Sequence, residues 1–327
     1  MLTPRGAKSK GAVLFFCLLL IVAGCAKKPQ TKIAPPSAPA IPAPINKGAG
    51  VEPELLVYFH EKGTVKSMPI EEYLQGVVAG EMEPDWPENA LAAQAILART
   101  FTLEKIAEKG KLENRNAHAS TDEKEFQAYD ASKINDRIKN AVEKTRGKVL
   151  VYDDAFIKAW FHAYSGGKTA TARDGLSYTQ TPTPYIQSID DSQFDPYIPP
   201  EVKTWKAEFS LDTLRSAVKE ATGNDPGKIT SLAIGATNAS GRVDTLKINA
   251  LDVPANALRM ALGSTVFRST MLTEAKITRG KAVFAGKGYG HGVGMSQWGA
   301  RVMAEQGKSP EEIAQYYFRN VRLVDLW

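Results

Sequence analysis

Apolar positions along the chain change spacing near residue 69. Leu55 to His60 and Val65 to Met68, separated by Glu-Lys-Gly-Thr, predict two strands around a turn at Gly63. Tyr73, Leu74, Val77 and Val78 then form a helical stripe on a helix that begins near Pro69. Glu81 continues that stripe, four residues beyond Val77 and three beyond Val78. Two readings of this carboxyl stand. In one the helix ends at Gly80 and Glu81 sits in a solvated turn with Glu83 and Asp85. In the other Glu81 is desolvated, which disfavours its ionised form and raises its pKa, as suits a general acid near neutral pH. A cation shared by Glu81, Glu83 and Asp85 is not expected, because Pro84 and the short spacing give no calcium loop.

A second helix follows Trp86-Pro87, with Pro87 or Glu88 in its first turn, and runs to about Lys109 with Gly110 as its stop. Its first half is apolar nearly all round, the pattern of a core helix. Arg99 is aligned with Ala92, Ile96 and Leu103, and a guanidinium there requires a carboxylate or a ligand. An acid elsewhere in the core is one candidate partner; Glu81 or a polar group of a substrate is the other.

After a helix end at Gly147, Val149 to Tyr152 and Phe156 to Phe161 predict a hairpin, followed by the loop His162-Ala-Tyr-Ser-Gly-Gly167. Residues 201–280 carry strand-like segments at 228–234, 241–248 and 267–277 and a helix around 210–221, without a charged or aromatic constellation. This part reads as scaffold or as a substrate-cradling subdomain. Residues 286–300, GKGYGHGVGMSQWGA, place glycine at 286, 288, 290, 292, 294 and 299. Alternate glycines strip side chains from one side of an extended stretch, so that a ligand or another strand can come close. Ser296 caps a helix running to about Gln306, and Ser309, Pro310 and Glu312 open a last helix that carries Ile313, Tyr316 and Tyr317. His291, set among these glycines beside Ser296 and Gln297, is a candidate site residue. No G-x-G-x-x-G register fits, and no Gly-Lys-Ser/Thr ending is present, which excludes a phosphate cradle. Ser165 near His162 suggests a serine hydrolase, but position 163 is Ala, so there is no nucleophile elbow.

Of the 327 residues 43% are hydrophobic and 24% charged, a globular composition. The formal charge of +5 is misleading: seven Lys and Arg and no acid lie in residues 1–50, which leaves 34 basic against 36 acidic residues, a net of −2, for the rest. Nucleic acid is therefore not an expected partner. Both cysteines, Cys17 and Cys25, fall in the first 25 residues, so the body of the chain has no disulfide, thiolate nucleophile or Cys-ligated zinc. Residues 1–25 read as a signal peptide, with Arg5, Lys8 and Lys10 before an apolar run from Ala12 to Val22 that is too short to span a bilayer. Val22-Ala23-Gly24-Cys25 resembles a bacterial lipobox, which predicts a lipoprotein beginning at Cys25; plain secretion is the alternative. Residues 26–50 are Pro- and Ala-rich and read as a semi-extended tether, with the folded domain at 51–327.

EYLQGVVAGEM, AQAILARTF, FQAY at 126–129, AVEKTRGKVLVY, FHAYSGG, SGRVDTLKI and GKGYGHGVGMSQWGARVMAEQG occur in the order typical of the SpoIID/LytB family. The resemblance covers about residues 52–327. It implies an α+β fold, a SpoIID-like catalytic domain of mixed helices and antiparallel strands with an inserted strand-rich subdomain at about 201–280. It also implies a peptidoglycan lytic transglycosylase that cleaves MurNAc-GlcNAc glycan strands and leaves 1,6-anhydroMurNAc ends. The family's acid falls on Glu81 and its arginine on Arg99, with Arg99 orienting Glu81 or binding sugar oxygens. His162, Ser165, Gly166, His291, Ser296, Gln297 and Trp298 are the implied substrate-binding positions. One carboxyl suffices if it first protonates the glycosidic oxygen and then deprotonates the C6 hydroxyl, with the substrate's N-acetyl group stabilising the oxocarbenium charge. Some relatives bind zinc through a His and two Cys; here only His118 remains, so neither metal nor cofactor is expected. The expected location is outside the cytoplasm, lipid-anchored to a membrane that faces the wall. The rival function is a non-catalytic wall-binding protein that enhances an amidase, and such an amidase is a candidate partner in either case.

Overall fold

The computed structural model describes residues 38–327, so the signal peptide, the lipobox and Cys25 lie outside the described residues. Within the Pro- and Ala-rich stretch, Ile41 and Ile45 are buried in the first hydrophobic core, Ile45 in a 3-10 turn at Ala43–Ile45. The packed body therefore begins before residue 51, because two isoleucine side chains within reach of a core are favourably removed from water. Among the described residues no helix is long and apolar enough to cross a membrane.

Strands β1 (Glu54–Phe59) and β2 (Thr64–Pro69) form an antiparallel hairpin with Phe59 opposite Thr64. Helix α1 (Ile70–Glu81) starts after Pro69 and carries Glu71 and Glu72 in its first turn, where the helix dipole favours acids. It does not stop at Gly80 but runs through Glu81 to an extended Met82. Helix α2 (Glu88–Lys109) is buried along most of its length and ends at Gly110, whose φ of +70° favours glycine. Strand β3 (Ala119–Ser120) adds parallel to β1. Helix α3 (Asp136–Lys144), capped by Asn135, and strand β4 (Lys148–Tyr152) pack on α2. The expected partner strand over 156–161 breaks into β5 (Ala155–Phe156) and β6 (Phe161–His162). Between them the Lys158 N–H turns away to donate to the Tyr185 hydroxyl at 2.9 Å.

Helices α4 (Ala172–Leu176) and α5 (Pro200–Lys203) lead to β7 (Thr204–Ser210) and to α6 (Leu211–Thr222), which Ser210 caps. Next come β8 (Leu232–Ile234), β9 (Thr245–Ile248), β10 (Leu251–Pro254), α7 (Ala255–Leu262), β11 (Leu272–Thr278) and β12 (Lys281–Lys287). They form two antiparallel sheets, ordered β10-β9-β8 and β11-β12-β7. Leu214, Val218, Leu246, Leu258, Phe267 and Phe284 build a second hydrophobic core between them. The three strands are shorter than their apolar runs, and β7, β10, α7 and β12 were not expected.

Strand β13 (Met295–Ser296) pairs parallel with β6, placing Ser296 opposite His162. Helix α8 (Gln297–Glu305) follows at once, and α9 (Pro310–Tyr317) opens on the Ser309/Glu312 capping box. Both helices pack on α2. Strand β14 (Arg322–Asp325) closes the chain against β4, in the order β14-β4-β5. The architecture is α+β, mixed helices with small and mostly antiparallel sheets.

Candidate active site

Gly76 and Gly80 leave the face of α1 bare where the segment Ala128-Tyr129 crosses it. A Cβ at Gly80 would lie 2.6 Å from the Tyr129 nitrogen, and one at Gly76 would fall on the Tyr129 ring, which stacks on Tyr73. This close approach brings the Ala128 N–H to Glu81 Oε1 at 2.9 Å. Burial drives the Glu81 carboxyl up to about 7; the Ala128 N–H and the Gln297 side chain oppose the rise and are outweighed, while Glu123 adds to it. Glu81 as a whole residue is half-buried, but its carboxyl is surrounded by protein, which is why desolvation dominates.

Gln297, the first residue of α8, is buried beside Glu81. Its amide favours the carboxylate electrostatically, yet Nε2 closes no hydrogen bond of good geometry among the described residues. Trp86 from the loop after Glu81 and Trp298 next to Gln297 meet edge-on, with ring centroids 4.8 Å apart. The Arg301 guanidinium lies over both rings, 4.9 Å from Trp298 and 5.6 Å from Trp86. This clasp joins the segment after Glu81 to the start of α8.

Arg99 takes the first of its two candidate partners, an acid elsewhere in the core, which corrects the role at Glu81 that the resemblance implied. Its guanidinium is fully buried, but its partner is Glu71 rather than Glu81: Nε donates to Glu71 Oε1 at 2.9 Å and Nη2 to Oε2, while Nη1 donates to the Lys148 carbonyl at 3.0 Å. Glu71 Oε1 also accepts from the Gly147 N–H and from Trp327 Nε1, each at 3.0 Å. Arg99 is thus consumed by a structural network and donates no hydrogen bond to Glu81.

The two histidines are anchored on one residue. His162 Nδ1 lies 3.2 Å from the Val293 carbonyl and acts as the donor, and His291 Nδ1 accepts from the Val293 N–H at 3.0 Å. Their rings are 5.8 Å apart. Burial, then His291 and Arg242, hold His162 well below the usual histidine range; burial, then Arg259 and Arg242, bring His291 down to about 3. Both rings are therefore neutral near pH 7 and serve as dipoles, not cations. His162 Nε2 is buried without a hydrogen-bond partner among the described residues.

Of the two close approaches the glycines allow, the structure shows the one by another part of the chain: the loop pairs with the 162–170 segment rather than lining an open groove. Gly290 abuts the His162 side chain, and Gly292, with φ of +79°, lies under the Arg242 guanidinium, where a Cβ would come within 1.9 Å of Nη2. Ser165, Gly166 and Ser296 likewise serve packing. Ser165 Oγ accepts from the Gly167 N–H at 3.1 Å, Gly166 sits against Met271 and Gly288, and Ser296 Oγ accepts from the Gly299 N–H at 3.3 Å. Both serines are fully buried, so neither offers a hydroxyl to a ligand.

Three buried polar residues escaped sequence reasoning. Asp191 accepts from the Tyr317 hydroxyl at 3.1 Å, and burial raises it to about 6 against hydrogen bonding from Ser165 and Tyr317. Arg242 donates to the Ser165 and Lys168 carbonyls at 2.8 and 2.9 Å, tying the second core to the loop. Glu71 looks like any first-turn acid, and Asp191 like one of two aspartates in a loop. Only for Arg242, placed between Gly241 and Val243, was there a signal: a strand-like run with a cation at its second position.

The family model described as stage II sporulation protein (SpoIID) matches residues 58–152, and one described as a domain of unknown function (DUF8618) matches residues 200–294, a span that includes the second core. A stage II sporulation protein D from Bacillus amyloliquefaciens is 32% identical over 296 residues, covering 85% of this chain and 82% of that protein. The protein of the same name from Bacillus subtilis (strain 168) is 32% identical over 289 residues, 82% of this chain and 78% of its own. The amidase enhancer of the same strain is 30% identical over 292 residues, 76% of this chain but 40% of that longer protein. At these identities and coverages, the chain belongs to the stage II sporulation protein D family.

Proposed function

We propose that this protein is a peptidoglycan lytic transglycosylase in which Glu81 is the general acid and then the general base. The observation that carries the reading is the Glu81 carboxyl, which burial holds protonated up to about pH 7 on a residue that is only partly buried as a whole. Protonated, it donates to the glycosidic oxygen as the C1–O bond breaks. As the carboxylate, held by the Ala128 N–H, it then takes the proton of the muramic C6 hydroxyl as that oxygen attacks C1. The substrate's N-acetyl group stabilises the oxocarbenium charge. The Gln297 side chain, buried beside Glu81, favours the carboxylate that the second step needs, and Trp298 adds a ring next to it. Export and a lipid anchor at Cys25, facing the wall, belong to the same proposal and bring enzyme and glycan together.

A second reading, a non-catalytic wall protein that enhances an amidase, is favoured by the name of the Bacillus subtilis relative. Mass spectrometry of purified glycan after incubation separates the two. Products lighter by one water than hydrolytic ones, lost in Glu81→Gln, support the transglycosylase; intact glycan, with stimulation of an added amidase, supports the enhancer.

A further inference from the structure

The segment that holds Glu81 also walls a cavity of about 450 Å³, lined by Phe59, His60, Glu61, Lys62, Tyr129 and Asp130. We propose that this cavity is a saccharide subsite, taking an N-acetylhexosamine residue of the glycan away from the bond cut at Glu81. The inference rests on the catalytic reading and deepens it.

Position is the first argument. Tyr129 directly follows Ala128, the donor to Glu81, and its ring lies against Gly76. Gly76 precedes Glu81 by five residues on α1, a rise of about 7.5 Å. The Ala128-Tyr129 segment thus connects the two, with Ala128 donating to Glu81 and Tyr129 lining the cavity.

Chemistry is the second. Tyr129 stacks on Tyr73 at 5.8 Å and meets Phe59 edge-on at 5.7 Å, so the aromatic wall is fixed before any ligand arrives. Around it stand an imidazole, an ammonium, two carboxylates and the Ser132 hydroxyl. Acids and bases are nearly balanced: Lys133 lies 3.6 Å from Asp130, and Lys66 lies over Phe59. No net charge selects an ion here. A ring with an apolar face and a rim of hydroxyls matches an aromatic wall edged by hydrogen-bonding groups, which is the chemistry of a sugar.

The test uses the full chain carrying Glu81→Gln, titrated calorimetrically with soluble N-acetylglucosamine oligomers of increasing length. Affinity is expected to rise about tenfold once the oligomer spans from position 81 to the cavity. His60→Ala with Lys62→Ala, both exposed side chains, should remove that step; Tyr129→Leu should remove it and Tyr129→Phe retain it. A missing step, or one that persists in the His60/Lys62 double variant, overturns the subsite. Oligomers bearing the lactyl group, run in parallel, show whether a muramic residue is accepted there; binding of either sugar with loss in the double variant upholds the proposal. The parent reading fails separately. A wild-type chain that releases anhydro-sugars without a length step overturns the subsite alone, whereas a length step in a chain that never cuts glycan overturns the catalytic role alone.

Discussion

Arg99 and Glu71 form a bidentate pair inside the first core, with Nε 2.9 Å from Oε1, and Glu71 stands ten residues before Glu81 on α1. Ten residues of helix are about 15 Å, so Arg99 affects Glu81 only by fixing where α1 lies. Because Glu71 also takes the Gly147 and Trp327 donors, the pair joins α1, α2, the turn before β4 and the final residue of the chain. Arg99→Ala leaves a carboxylate buried without its cation, and the expected loss is about 3–5 kcal/mol. Denaturant midpoints check this. Arg99→Met with Glu71→Leu, which removes both charges, should recover most of the loss. An Arg99→Ala chain of wild-type stability would contradict the structural role.

Proton release from Glu81 sets the pH dependence. A general acid must start protonated, so glycan cleavage should fall as pH rises through about 7. Initial rates of anhydro-product release between pH 5 and pH 9, a window of about two units either side of that value, check it.

The same shift acts on stability. The carboxyl is raised from 4.5 in the unfolded chain to about 7 when folded, so the folded state binds the proton more tightly. Its contribution is fully present below about 4.5 and is lost as pH rises through about 7. Glu81→Gln should therefore gain on the wild type above pH 7, by on the order of 3 kcal/mol. Asp191, raised to about 6, titrates in both chains and cancels in the difference. Paired urea titrations at pH 4 and pH 8 measure it; a difference that does not grow with pH would show that Glu81 is not desolvated.

How much of this was legible in the sequence depends on whether a residue's partner is local. The helical stripe of Tyr73, Leu74, Val77 and Val78 extends to Glu81 by spacing alone, and α1 does run to that residue. The Ser309/Glu312 box marks its own helix. Spacing likewise places Arg99 in the core, but not its partner: Glu71 lies 28 positions away and is aligned with Arg99 only by the packing of α1 on α2. The alternating glycines were legible only in part, for a related reason. Their absent side chains signal a close approach, yet what approaches is Arg242 or His162, and no local pattern distinguishes a ligand from a distant part of the same chain. Strand β12 was invisible because its partners, β7 and β11, must first be in place.

Gly80→Ala tests the contact that delivers the backbone donor. The new Cβ would lie 2.6 Å from the Tyr129 nitrogen and 2.8 Å from the Ala128 carbonyl carbon, both main-chain atoms that cannot rotate away. The expected cost is about 1–3 kcal/mol, the range for overpacking a filled interior. Hydrogen exchange at the Ala128 amide should speed up with it, since that N–H is drawn off Glu81. Unchanged stability and exchange would mean that α1 and the 128–129 segment are not in contact.

Gln297→Leu separates the electrostatic part of the site from its packing. Leucine is close to glutamine in volume but has no amide, so the clasp of Trp86, Trp298 and Arg301 is left in place. In the wild type the Gln297 side chain favours the Glu81 carboxylate and so lowers its pKa against the effect of burial. Without it the carboxyl should hold its proton to still higher pH, and the alkaline fall in cleavage rate should move upward. The rate below that fall should change less, because Nε2 is buried and the protonated acid that starts the reaction is still present. An unmoved alkaline limb would mean that Gln297 does not set the Glu81 pKa; a limb that moves down would reverse the sign argued for its effect on Glu81.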